Sequence, residues 1–174
     1  MRNNKGFSFA EAIAVIAILA VLAAGVVVGI GSLSGWRVTN CASDINSSMK
    51  NTRVNAMSKS SAYMQIRCDS NGDYFLMESG KQEEKVASGS ISITYETNNG
   101  VTVDITDGSP LILSYRRSSG AFMPIITNVR DDGTFTFMTD AGGAYCYCSK
   151  IVITNGAKTK TITLVKDTGK HTLE

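Results

Sequence analysis

The side chain in this sequence with the clearest chemical purpose is Glu11, the one charge inside the apolar run from Phe7 to Leu33. A helix over that run is about 40 Å long at ~1.5 Å per residue, enough to cross the ~30 Å core of a bilayer. An acid at mid-bilayer costs roughly 2.5–3.5 kcal/mol on insertion scales, so a carboxylate there is functional by default and calls for a positive partner. Ahead of the run stands MRNNKG, with Arg2 and Lys5 as its positive charges and Gly6 as its last residue. Basic flanking residues hold an N-terminus on the cytoplasmic side. Two plainer readings compete: a secretory signal with its cleavage near Ala23, Ala24 and Gly25, and a single-pass anchor. The run exceeds the ~7–15 residues of a usual signal core, and neither reading accounts for an acid shortly after a Lys-Gly step.

Four cysteines, Cys41, Cys68, Cys146 and Cys148, follow the apolar run. In an exported domain they are candidates for disulfides, with three possible pairings, or for free buried thiols. Cys146 and Cys148 flank Tyr147, so on a strand both point to one face and are better placed to bond elsewhere than to each other. Cys41 and Cys68 are plausible partners. The spacing lacks the C-x₂₋₄-C step of a zinc site, and the lone histidine, His171, leaves little for a metal cluster or a triad. No nucleophile elbow and no Walker loop occurs in the sequence, so no enzyme activity and no cofactor is expected. Asp69-x-Asn71-x-Asp73 opens like a calcium loop, but Tyr74 stands where the required glycine should follow; Asn71-Gly72 is the tip of a hairpin. Arg116, Arg117, Lys150, Lys158, Lys160 and Lys166 are the candidates for a nucleic-acid strip, with edge protection of strands as the simpler role. The formal charge is only +2, and removing Arg2 and Lys5 leaves the side chains near neutral, against a general grip on nucleic acid.

The elements that position these residues follow from periodicity. Beyond Leu33, Trp36 and Arg37 suit a membrane interface. Val38, Cys41, Ala42, Ile45, Met49, Thr52 and Ala56 then recur on one helical face, so a single helix is expected from Phe7 to about Ser58. Gly25, Gly29, Gly31 and Gly35 weaken its middle or let helices approach closely. After Ser61 the period becomes two. Strands are expected at 62–68, 74–78, 90–96, 101–105, 111–115, 121–129, 134–138, 145–154 and 158–165, separated by Asn-Gly and similar turns. The fold class is α+β: a long N-terminal helix, membrane-spanning in its first half and amphipathic in its second, packed on a C-terminal antiparallel β domain. The expected division is a leader at 1–6, a transmembrane and assembly helix at 7–35, its amphipathic continuation at 36–60 and the β domain at 61–174.

Lys5-Gly6-Phe7-Ser8-Phe9-Ala10-Glu11 resembles the class III signal of type IV pilins and type II secretion pseudopilins, with Phe9 and Ala10 where that family more often has larger aliphatics. The resemblance implies that a prepilin peptidase cleaves between Gly6 and Phe7 and that the new amino terminus on Phe7 is methylated. It implies that Glu11 meets the amine of a neighbouring subunit, since two charges costly in lipid neutralise each other only when subunits stack in register. Helix followed by β domain is similar to the H-type minor pseudopilins and FimT-like minor pilins, and the ending from Ile151 to Glu174 resembles their terminal hairpin and final strand. The implied partners are prepilin peptidase, other pilin or pseudopilin subunits and an inner-membrane assembly platform. The implied location is the cell membrane, N-terminus inside and β domain outside, and then the filament. The alternatives are a DNA- or surface-binding minor pilin of an uptake system and a plain membrane-anchored β domain.

Overall fold

The computed structural model describes residues 9–58 and 62–174, without the side chains of 22–34. It divides into two units, Met1–Trp36 and Arg37–Glu174. One helix, α1 (Phe9–Ser58), contributes to both, uninterrupted because no proline falls within it. In the first unit Glu11 lies in the first turn, and Phe9, Ile13, Val15, Ile16, Ile18, Leu19 and Val21 are exposed apolar side chains. Among the described residues no helix is long and apolar enough to cross a membrane. The expected span at 7–35 falls partly outside those residues, as does the expected leader at 1–6.

In the second unit the helical periodicity is realised residue by residue. Val38, Cys41, Ala42, Ile45, Met49, Thr52 and Ala56 are all buried, and Ser48 joins them, while Asp44, Lys50 and Asn51 face water. This face packs on an antiparallel β domain of two sheets. The strands of the first are β1 (Tyr63–Cys68), β2 (Tyr74–Glu78), β3 (Glu84–Ala87), β6 (Leu111–Ser114), β7 (Ile126–Val129) and β8 (Phe135–Phe137). They lie in the order β3-β2-β1-β6-β7-β8. The second sheet holds β4 (Ser92–Thr97), β5 (Thr102–Asp104), β9 (Cys148–Thr154), β10 (Thr159–Val165) and β11 (Lys170–Leu173), in the order β11-β10-β9-β4-β5. Alternation in β1 buries Met64, Ile66 and Cys68 against the helix face, and Ile93, Tyr95, Ile151, Ile153, Ile162 and Leu164 close the core from the second sheet.

Three departures from the expected strands have local causes. The 121–129 segment forms a ladder only from Ile126, because Pro124 has no N–H to donate; upstream a single bridge joins Tyr115 to Phe122. The 145–154 segment starts its ladder at Cys148, where the register against β4 shifts at Glu96/Thr97. The hydroxyl of Ser149 donates to the carbonyls of Glu96 (3.0 Å) and Thr97 (3.2 Å) there, stitching the irregularity closed. Strand β3, with Glu84 and Lys85 exposed, has no alternation of its own and is recruited by pairing with β2. The terminal hairpin implied by the resemblance is present as β10–β11.

Candidate functional site

Glu11 occupies the first turn of α1, where a carboxylate interacts favourably with the positive end of the helix dipole, and its side chain is exposed. Gly6 and Phe7 lie outside the described residues. Residues 9–21 therefore present one acid at the start of an otherwise apolar, outward-facing helix.

The far end of the same helix is fastened by a junction that local sequence patterns do not reveal. Arg53 donates from Nε to the carbonyl of Gly120 (3.1 Å) and from Nη2 to the carbonyl of Thr168 (2.8 Å). Phe122 N–H donates to the Lys166 carbonyl (3.0 Å), so the loop after β6 and the β10–β11 turn are bound to each other as well as to the helix. Gly169 sits at φ +65°, and a Cβ built there would lie 1.7 Å from the Gly120 carbonyl oxygen. Only glycine permits that approach. His171 follows on β11, half-buried with its ring 6.4 Å from that of Phe122; burial lowers its pKa, with Lys50 and Arg53 adding to the effect.

The four cysteines are all buried and stand as free thiols. Burial pushes Cys41 up to about 12 from 9.0, with Asp44 adding to it; Cys68, Cys146 and Cys148 are also raised, in each case chiefly by burial. Because the thiolate is the reactive form, Cys41 carries on the order of a thousandfold less nucleophile than an unperturbed thiol. The folded protein is expected to resist iodoacetamide at pH 8 and to expose four reacting thiols once denatured. Rapid alkylation of the native protein, counted by mass, would contradict this arrangement.

The Asp69-x-Asn71-x-Asp73 segment forms the β1–β2 tip. The Asp69 carboxylate accepts from the N–H groups of Asn71 (3.0 Å) and Asp73 (2.8 Å), and these bonds hold its pKa low. Asp73 is paired with Lys85. The six candidate cations for a nucleic-acid strip are not brought together. Lys150 faces outward and pairs with Glu96 at 3.2 Å, whereas Lys160 shares the face of Ile162 on β10. Arg116 and Lys166 line one common pocket.

A helix whose apolar face packs on a C-terminal antiparallel β domain is consistent with the pilin-like fold. Residues 1–27 match the family described as the prokaryotic N-terminal methylation motif. That motif is a class III signal, of the kind carried by type IV pilin- and pseudopilin-like precursors. No curated protein and no solved structure matches the chain significantly.

Proposed function

We propose that this chain is a minor pilin or pseudopilin, a structural subunit of a type IV pilus or type II secretion pseudopilus and not an enzyme. The observation that carries the reading is the methylation motif over residues 1–27, with Glu11 inside it. The precursor is inserted with Arg2 and Lys5 on the cytoplasmic side and cleaved between Gly6 and Phe7. The new amine on Phe7 is methylated, and the protein is held in the membrane until its helix joins a bundle of like helices. The apolar run supplies most of the association, since close packing and exclusion of lipid favour helix against helix. Glu11 and the Phe7 amine of a neighbouring subunit set the vertical register, each relieving the other's cost in lipid. The β domain stays outside, held to its helix by the buried face of α1 and by Arg53.

Processing tests the reading directly. In a host with a prepilin peptidase, Gly6→Val is expected to leave the precursor at full length, while the native sequence yields a shorter product on a gel. Equal mobility of the two proteins after co-expression would count against it.

A further inference from the structure

Beside the Arg53 junction, the loop after β6 and the β10–β11 turn frame an open pocket of about 200 Å³, lined by Arg116, Ser119, Phe122, Tyr147, Lys166 and Asp167 among others. Its walls are tied together by local hydrogen bonds. Arg116 N–H donates to the Ala121 carbonyl (2.8 Å), Gly120 N–H to the Arg116 carbonyl (2.8 Å) and Ala121 N–H to Ser119 Oγ (3.3 Å). What remains to meet a ligand is a set of side-chain donors. Arg116 makes no ion pair among the described residues and is exposed, leaving its guanidinium fork open. Lys166 lies over the Tyr147 ring, with Nζ 4.8 Å from the centroid, and its contact with the Asp167 carboxylate is a loose 3.8 Å. Ser119 accepts through its oxygen and keeps its O–H to donate. Arg53 adds positive charge next to this wall, its Nε and Nη2 donors being taken up by carbonyls and not by a carboxylate. A concave site lined by a guanidinium, an ammonium and a hydroxyl matches a compact oxyanion.

We propose that this pocket binds a phosphate-sized oxyanion, clasped by Arg116 and Lys166 with the Ser119 hydroxyl as a further donor. Tyr147 orients the Lys166 ammonium toward the anion, and Asp167 tempers affinity from the rim. The chemistry is shared by free inorganic phosphate and by the phosphate monoester of an anionic lipid headgroup.

The test uses the full chain in neutral detergent, titrated calorimetrically with inorganic phosphate at fixed ionic strength. Saturable binding at one site per chain is expected. Arg116→Gln and Lys166→Gln should each weaken it by about tenfold or more, as loss of a charge-assisted contact implies. Asp167→Asn should strengthen it severalfold, a gain that loss of structure would not produce; the Asp167 side chain is 86% exposed, so its replacement leaves the fold alone. Arg130→Gln, in the β7–β8 turn, should change nothing. Competition by short-chain phosphatidic acid against short-chain phosphatidylcholine in the same detergent separates the sources: displacement of phosphate by phosphatidic acid alone, lost in Lys166→Gln, assigns the site to lipid, and its absence beside phosphate binding assigns it to the soluble ion. Non-saturable binding, or equal losses in Arg130→Gln and Arg116→Gln, would overturn the proposal.

Discussion

Glu11→Ala is expected to leave membrane insertion intact and to lower incorporation into filaments by about tenfold or more. Removing an acid from an apolar run makes insertion easier, by up to the roughly 2.5–3.5 kcal/mol that an acid costs at mid-bilayer. Assembly responds in the opposite sense. On the proposed reading the carboxylate answers a neighbour's Phe7 amine in the subunit bundle, and truncating it would leave that amine charged and unpaired in a poorly solvating environment, a change costed at several kcal/mol for buried pairs. Even ~1.4 kcal/mol lost at each contact is a factor of about ten in the equilibrium. Membrane fractionation and shearing of filaments measure the two effects separately. A variant that inserts and assembles like the native protein would remove Glu11 from the register.

Gly169→Ala is expected to destabilise the β domain by on the order of 3–5 kcal/mol, enough to lower its melting temperature by roughly 10 °C. The residue lies at φ +65°, where a side chain costs about 1–2 kcal/mol. The larger part comes from position. A Cβ 1.7 Å from the Gly120 oxygen forces the two loops apart, and their separation takes with it the Arg53 bonds to Gly120 and Thr168. Hydrogen bonds to a charged group contribute about 1.5–3 kcal/mol. Gly143→Ala is the matched control: its φ is +79°, yet nothing lies within 4 Å of the added carbon, so only the backbone cost of about 1–2 kcal/mol applies. Thermal denaturation of the two variants side by side decides the point, since equal losses would mean that the close approach carries no weight.

The helix face was legible because one pattern fixes both the element and its buried side: every position from Val38 to Ala56 expected on the apolar stripe is buried. Hairpin tips at Asn71-Gly72, Asn99-Gly100 and Asn155-Gly156 were legible for a similar reason, a turn residue between two alternating runs. The division of strands into two sheets was not. Alternation says which side chains face inward but not which strand lies next door, so β1 pairing with β6, and β4 with β9, could not be read from spacing. Strand β3 was silent because its order comes from its neighbour β2. The Arg53 junction joins residues 67 and 115 positions apart, and an arginine on an exposed helical turn gives no hint of two carbonyls waiting for it. The basic strip failed on parity: Lys150 and Lys160 lie on neighbouring strands, and the pleat sends them to opposite faces. Glu11 stood out because its surroundings are apolar, so a single charge carries the signal.

All of this converges on the amino terminus that the mature protein carries. Intact-mass and N-terminal fragment analysis of the protein recovered from the membrane of its own host is the most direct measurement. The expected result is a chain that begins at Phe7, bears one added methyl on its amine and lacks residues 1–6. A mature chain that keeps Met1 to Gly6, or one trimmed near Ala24 by an ordinary signal peptidase, would contradict the account.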